Sequence, residues 1–368
     1  MRAYLFVLLV AFAVTYLTTP LVRRLARRIG AITPVRDRDV HSVPVPRMGG
    51  LAMFLGFAVA VLVSSKTPFL ARTFENGGAP WGVLLGAAVV CALGVADDLW
   101  TLDALTKLAG QALAAGLMAW KGGVQLLALP LAGQTIISRN GLIVLTILAV
   151  VIAINAVNFV DGLDGLAAGI VGIAGAAFFV YSYLLSRYTG DPTDYSSLAS
   201  LVTAGMVGAC LGFLPHNFNP ARVFMGDSGS MLIGLLLATS TISITGQFDP
   251  AELSNAQVVP AYIPLVLPLA VLALPLVDMG WAIIRRVGTG RSPFTPDKLH
   301  LHHRLLRLGH SHANAVLVMY LWAATFAFGV AASAFLEPVT SVALGAGAIT
   351  AAVLITIGPL RGRRPPAG

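Results

Sequence analysis

The chain has 368 residues, of which 57% are hydrophobic and only 11% charged, and its mean hydropathy is +0.82. A soluble domain of this size carries about 25% charged residues, so the deficit marks lipid rather than water as the main solvent and excludes an ordinary soluble enzyme. The formal net charge of +8 is expected to serve a membrane surface rather than a nucleic acid, and the two cysteines, Cys91 and Cys210, fall in separate apolar runs without metal-ligand spacing.

A helix needs about 20 apolar residues to cross a hydrocarbon core of roughly 30 Å. On that rule the sequence predicts an all-α polytopic membrane protein, a single integral-membrane domain over 1–368 with about eleven spans. They run approximately 3–22, 48–65, 81–96, 104–120, 141–158, 165–186, 197–214, 229–246, 258–284, 314–336 and 340–360. The third and fourth are short and carry polar ends. The first does not read as a cleavable signal: it lacks a sizeable basic n-region and is followed by Arg23, Arg24, Arg27 and Arg28.

Those arginines orient the chain, because cytoplasmic loops hold the excess of Lys and Arg near span ends. With the loop after the first span inside, the cytoplasmic loops are about 23–47, 97–104, 159–164, 215–228 and 285–313, the N-terminus is outside and the C-terminus inside. This sorting puts 18 of the 24 basic and ten of the 16 acidic residues on the inner side, so the whole net charge sits on one face. Topology alone explains a basic face; attraction for anionic headgroups and soluble phosphates is the functional addition.

Four polar clusters interrupt the apolar sequence, all on that inner side. Asp97 and Asp98 end the third span, where two adjacent anions repel each other and oppose the helix dipole, so a bound cation or proton is expected to offset them. Lys107, near the start of the fourth span, reads by itself as a snorkelling anchor. The second cluster is Asn155-Ala156-Val157-Asn158-Phe159-Val160-Asp161-Gly162-Leu163-Asp164-Gly165. Its Asn155, Asn158 and Asp161 share one helical face, and glycines allow close backbone approach to a ligand. An ordinary Asx-Gly turn would need fewer polar groups.

The third cluster, Asn217 to Ser230, ends in Asp227-Ser228-Gly229 at the entry to the eighth span. Asp227 reads as a helix cap or as an oxygen ligand for a hard cation such as Mg²⁺. Phe224, in a polar loop, is placed to stack on a planar base or to anchor at the interface. The fourth, Asp297 to Arg304, holds His300, His302 and His303 within four positions and fits phosphate donation better than a zinc site. Pro260, Pro264, Pro268 and Pro275 predict a kinked ninth helix beside a lipid-facing groove. Asp278, near its inner end, reads as a salt-bridge partner or as part of the polar site. The stretch 122–140 allows a short outer hairpin.

In this order the clusters resemble the polyprenyl-phosphate N-acetylhexosamine-1-phosphate transferases of bacterial envelopes, glycosyltransferase family 4. The resemblance rests on Pro46-Arg47-Met48-Gly49-Gly50, Asp97-Asp98, Asn155 through Gly165, Phe224 through Ser230 and His300-Leu301-His302-His303-Arg304, and covers about residues 10–325. The His-x-His-His-Arg form looks more like the branch using UDP-N-acetylglucosamine than the phospho-MurNAc-pentapeptide branch. The resemblance implies a reaction at the cytoplasmic face of the bacterial inner membrane. There a lipid phosphate oxygen attacks the sugar-linked phosphorus of a UDP-N-acetylhexosamine, UMP leaves, and a polyprenyl-diphospho-sugar is made for a cell-envelope polymer.

It further implies Mg²⁺ (or Mn²⁺) on Asp227 with Asp161, and Asp97, Asp98, Asp161 and His302 as the catalytic set. Lys107, Asn155, Asn158, Asp164, Phe224, His300, His303, Arg304 and Arg47 would bind substrate, with Phe224 on uracil. A homodimer is left open. The other classes weighed are a secondary transporter, which would place acids near the midplane of interrupted, repeated spans, and a structural scaffold, which needs neither the Asp pair nor the histidine loop.

Overall fold

The computed structural model describes residues 1–33, 44–75, 78–126, 138–189, 197–245, 262–271, 309–357 and the single positions 284, 288 and 305. Among them the chain is helical apart from one two-residue hairpin pairing, and the order is α1 (Arg2–Ile29), β1 (Ile32–Thr33), β2 (Val45–Pro46), α2 (Gly49–Ser64), α3 (Pro68–Glu75), α4 (Ala79–Trp100), α5 (Ala104–Gly122), α6 (Arg139–Val160), α7 (Leu166–Thr189), α8 (Leu198–Asn217), α9 (Gly226–Thr245), α10 (Tyr262–Val271), α11 (His312–Ala332) and α12 (Pro338–Ile357). The protein is a multi-pass, all-α membrane protein. Eight of these helices are both long and apolar enough to cross a bilayer: α1, α4, α6, α7, α8, α9, α11 and α12. The α2–α3 pair, bent by 98°, makes a ninth if it acts as one span.

The predicted second span therefore ends at a sharp break, where Thr67 and Pro68 open α3. The predicted fourth span is the 19-residue α5. It has the length to cross, at about 1.5 Å of rise per residue, but Thr106, Lys107, Gln111 and several glycines keep it out of the strongly apolar set. Within the predicted ninth span α10 and the single position Ile284 lie in the described residues, with Pro264 and Pro268 inside α10. Pro260, Pro275 and Asp278 lie outside the described residues, as does most of the 122–140 stretch (127–137).

Local sequence sets the helix ends. Gly30, at φ 80°, stops α1 and returns its neighbour Ala31 N–H to the Ala26 carbonyl. Ser138, Ser197 and Ser311 cap α6, α8 and α11 through their hydroxyls. Asp103 caps α5 by accepting from the Leu105 and Thr106 amides. The α4 helix runs one turn beyond the predicted end, so Asp97 and Asp98 lie in its last turn rather than in a loop.

Two helices fill the middle. α8 and α9 are buried on nearly every side, α8 between α1, α2 and α7, and α9 between α2, α4 and α6. Without a hydrophobic force between helices in lipid, close packing of small residues does the work. Gly50 and Gly94 carry that argument. A Cβ on Gly50 would meet the Gly229 backbone nitrogen at 2.0 Å, and one on Gly94 would meet Ser228 Cα at 2.3 Å. Two backbones, those of α2 and α4, thus converge on the first turn of α9. α11 and α12 sit at the edge, and α12 is almost wholly outside the core.

Candidate active site

Antiparallel neighbours bring alternate helix ends together. The C-terminal ends of α4, α6 and α8 meet the N-terminal ends of α2, α5, α7 and α9 at one end of the bundle. The direct bonds among Asp97, Lys107, Asp98, Asp227, Asp164 and Asn217 fix this. The inner-side clusters that fall within the described residues are therefore gathered at one end rather than dispersed.

At the centre, Lys107 Nζ lies 2.7 Å from Asp97 Oδ2 and 3.0 Å from Asp227 Oδ2. The geometry follows from the three-residue link Thr101–Asp103. Asp97 Oδ1 accepts the Leu102 amide at 2.7 Å, Asp103 starts α5, and one turn later Lys107 faces back across the gap. Asp97 is buried (7% exposed), whereas Lys107 and Asp227 keep about a quarter of their surface open (27% and 23%). A reactant can reach the second pair but not the first carboxylate from all sides.

Asp98 has a different task from its neighbour, since adjacent residues on a helix point about 100° apart. Its carboxylate accepts the Asp227 amide at 3.1 Å, the Ser228 hydroxyl at 3.0 Å and the Ser228 amide at 3.5 Å. It thereby caps α9 from another helix and fixes the backbone that presents Asp227. The helix N-terminus also favours the Asp227 anion.

The strand-like segment before α9 is held just as firmly. Phe224 N–H donates to the Pro46 carbonyl, and the Gly49 and Gly50 amides donate to the Phe224 and Met225 carbonyls. The first amides of α2, otherwise unpaired at a helix start, are satisfied there. Met48 takes a left-handed conformation, φ 76°, to make that turn. Arg47 is carried alongside, its Nε donating to Thr33 Oγ1 at 2.6 Å. The Phe224 ring is partly buried.

Asp161 closes α6 and is partly buried. Its carboxyl is pushed up to about 7, first by burial and then by the nearby carboxylates of Asp227 and Asp98, while Arg47 pulls the other way. Asp164 is buried and structural in its bonding. It accepts from the Asn219 side chain and the Ala221 amide, both at 3.0 Å, and so moors the loop between α8 and α9. Asn217 does the complementary job, accepting the Gly165 amide and donating to the Val223 carbonyl. Asn155 sits deeper, donating to Gln111 Oε1 at 2.7 Å and tying α6 to α5. Asn158 lies one turn further toward the acids, partly exposed. His300, His302, His303 and Arg304 lie outside the described residues.

Sequence reading placed Asn217 and Ser228 in the third polar cluster without giving either a role, and it passed over Gln111, whose signal was an amide in an apolar helix. It also left the Gly49-Gly50 pair unexplained beyond the resemblance.

Four carboxylates, Asp97, Asp98, Asp161 and Asp227, face two cations, Lys107 and Arg47, across this site. The surplus negative charge fits a hard divalent cation. Among the described residues no three His, Cys, Asp or Glu side chains are grouped to hold one unaided. Mg²⁺ does not require that, because it is bound through one or two carboxylates, waters and substrate phosphates.

The sequence profile described as "Glycosyl transferase family 4" matches residues 80–245, the stretch from the start of α4 to the end of α9. The chain is also 45% identical to a decaprenyl-phosphate N-acetylglucosaminephosphotransferase of Mycobacterium tuberculosis, over 96% of this chain and 88% of that protein. The chain belongs to glycosyl transferase family 4. The protein of that name from Mycobacterium leprae is 44% identical over 97% of this chain and 90% of its own length. An undecaprenyl-phosphate alpha-N-acetylglucosaminyl 1-phosphate transferase of Haemophilus influenzae is 31% identical over 84% and 81%. The family segment contains Asp97, Asp98, Lys107, Asp161 and Asp227 together, so the part of the chain that carries the family likeness is also the part that builds the acidic site.

Proposed function

We propose that this glycosyl transferase family 4 member transfers N-acetylglucosamine-1-phosphate from UDP-N-acetylglucosamine to a polyprenyl phosphate in a bacterial inner membrane. The products are polyprenyl-diphospho-N-acetylglucosamine and UMP, the first membrane step of an envelope glycopolymer. The observation that carries the reading is the Asp97–Lys107–Asp227 constellation at one end of a membrane bundle, within a chain 45% identical to a transferase of that kind. The relatives' names specify N-acetylglucosamine, which does not favour the phospho-MurNAc-pentapeptide alternative. Carboxylates gathered at one end, rather than at mid-bilayer, do not favour a transporter.

In the bond change, an oxygen of the lipid phosphate attacks the sugar-linked phosphorus, and the bridge to the uridine-side phosphorus breaks, its electron pair leaving with UMP. Such transfer rests on positioning and charge neutralisation rather than covalent help. Lys107 is placed to exchange its carboxylate partners for phosphate oxygens. Asp97, bonded to Leu102 and Lys107, orients that lysine and can take a proton from a lipid phosphate that arrives protonated; with a second pKa near 6, most do not. Asp227 and Asp161 would hold Mg²⁺ (or Mn²⁺), which when bound supplies charge stabilisation at the diphosphate. Asn158 and Phe224 would contact the nucleotide, Asp164 and Asn155 would support that contact through the loops and helices they tie, and Arg47, His300, His302, His303 and Arg304 would bind phosphate or sugar.

The excess of arginines supports a cytoplasmic location for this end of the bundle, with the N-terminus outside and the C-terminus inside. That requires eleven crossings: the eight apolar helices, the bent α2–α3 pair, α5, and the segment around α10. Purified protein incubated with polyprenyl phosphate, radiolabelled UDP-N-acetylglucosamine and Mg²⁺ should place label in organic-extractable lipid and release UMP, and EDTA should stop both. Uptake into sealed vesicles without a lipid product would overturn the reading. Parallel reactions with UDP-N-acetylgalactosamine and UDP-MurNAc-pentapeptide test the sugar.

A further inference from the structure

Beside the acidic site the same end of the bundle holds a second charged cluster that the reaction does not use. Tyr16, Arg23 and Arg27 stand seven and four residues apart on α1, so they share one helical stripe. Against it lie the end of α8 and the loop that follows. The His216 Nε2 approaches the Tyr16 carbonyl at 3.1 Å, the two rings are 4.9 Å apart, and the Arg222 amide donates to the His216 carbonyl. The charged groups acting on Arg23 are Arg27 and Arg222, and those acting on His216 are Arg222 and Arg23. Among the described residues no carboxylate is one of them. Arg23 Nε is buried, and among the described residues it has no hydrogen-bond partner.

Like charges packed together around an unpaired donor cost free energy unless an anion bridges them. The surroundings say which anion. Leu5, Leu9 and Tyr16 on the same side of α1 are 54%, 52% and 42% exposed, and Leu211 on α8 is 44% exposed, so an apolar track leads along the α1–α8 seam to the arginines. We propose that Arg23, Arg27, Arg222 and His216 form a binding site for the phosphate of an anionic glycerophospholipid whose acyl chains lie along that seam. Guanidinium groups suit phosphate oxygens through paired N–H donors, and an anionic leaflet attracts arginines near its surface.

The test uses the full-length protein in nanodiscs containing equal phosphatidylglycerol and phosphatidylcholine, released into native mass spectrometry. Wild type should retain phosphatidylglycerol selectively. Arg222→Gln should reduce that selectivity roughly fivefold, and Arg23→Gln with Arg222→Gln should abolish it. Arg23→Lys should keep much of it, and Asp227→Asn should leave it intact, which separates this site from the proposed catalytic one. Arg222 is exposed on a loop, so its single variant reports even if the double variant unfolds. Equal retention in Arg222→Gln and wild type would overturn the proposal. So would displacement of the lipid by millimolar inorganic phosphate, which would make the site one for free phosphate, or by stoichiometric polyprenyl phosphate, which would make it a substrate site.

Discussion

α9 and α12 are both twenty residues long and both apolar enough to cross a bilayer, yet 89% of the apolar window of α9 is buried and only 6% of that of α12. The more apolar of the two is the one left outside. In water the order would be reversed. In lipid an apolar side chain gains nothing by leaving the hydrocarbon, so the interior goes to helices whose small and hydroxylated residues let backbones approach and bond. α9 has Gly229 and Gly234 against neighbouring backbones, and Ser228, Ser230, Thr239 and Ser240 fully buried. α12 has Gly345 and Gly347 facing open space. The helix that reads as less membrane-like is the one that carries Asp227 of the acidic cluster.

The largest effect expected from this contrast is at Asp227. Asp227→Ala removes the anion that Lys107 bridges and the proposed metal ligand, and UMP release should fall by about a thousandfold or more. The thermal unfolding of the purified protein should change little, because Asp227 is partly exposed. Leu344→Ala on α12, where Leu344 is 60% exposed, should leave turnover within about twofold. A similar loss in both variants would dissolve the distinction between the two helices.

Next comes the backbone contact beneath the site. Gly50→Ala drives a methyl into the Gly229 backbone, which has no flexible atom to yield. Overpacking of this sort costs about 1–3 kcal/mol, read as a lower unfolding midpoint, and it should reduce activity by shifting Asp227. Gly347→Ala meets nothing within 4 Å and should be silent in both measurements. Third is Asp98→Ala, which deletes the acceptor of the Asp227 and Ser228 amides. A lost cap costs about 0.5–2 kcal/mol, and turnover should drop less than with Asp227→Ala, because Asp98 acts by holding α9 rather than by touching the reactants.

Much of this was legible before the coordinates. In an apolar chain, a polar residue either sits at a span end or is paired inside, so counting spans was enough to put Asp97, Asp161 and Asp227 at one end. The order of the motifs carried the family. What could not be read was the division of labour between neighbours. Asp97 and Asp98 are equivalent as letters, and only the 100° turn between them sends one to Lys107 and the other to the α9 amides. Lys107 looked as much like an anchor as a ligand, because its partners are ten and 120 residues away in sequence. Asp164 and Asn155 were placed among the substrate-binding residues by the resemblance, and spacing could not show that they also moor the 219–221 loop and the α5–α6 contact. Gly50 was noticed only as part of a motif and Gly94 not at all, since the reason for each is another helix.

The smallest expected effect is one of pH, and it concerns Asp161. Burial and the neighbouring carboxylates push its carboxyl up to about 7, well above the ordinary carboxylate range, so the folded state holds a proton that the unfolded chain has already released. Stability of the metal-free protein should therefore fall as pH rises from the ordinary carboxylate range through about 7, and then level off. The consequence for turnover has the opposite sign. The anion is the form that can bind a cation or face a phosphate-linked metal, so at limiting Mg²⁺ the rate should climb with pH through about 7, while saturating Mg²⁺ should flatten that climb by displacing the proton. Asp161→Asn should remove both the stability slope and the metal-dependent part of the rate profile. If the slope persists in that variant, the titrating group lies elsewhere among the acids around α9. Asp98 is then the next to replace, because its carboxylate accepts the Asp227 amide directly.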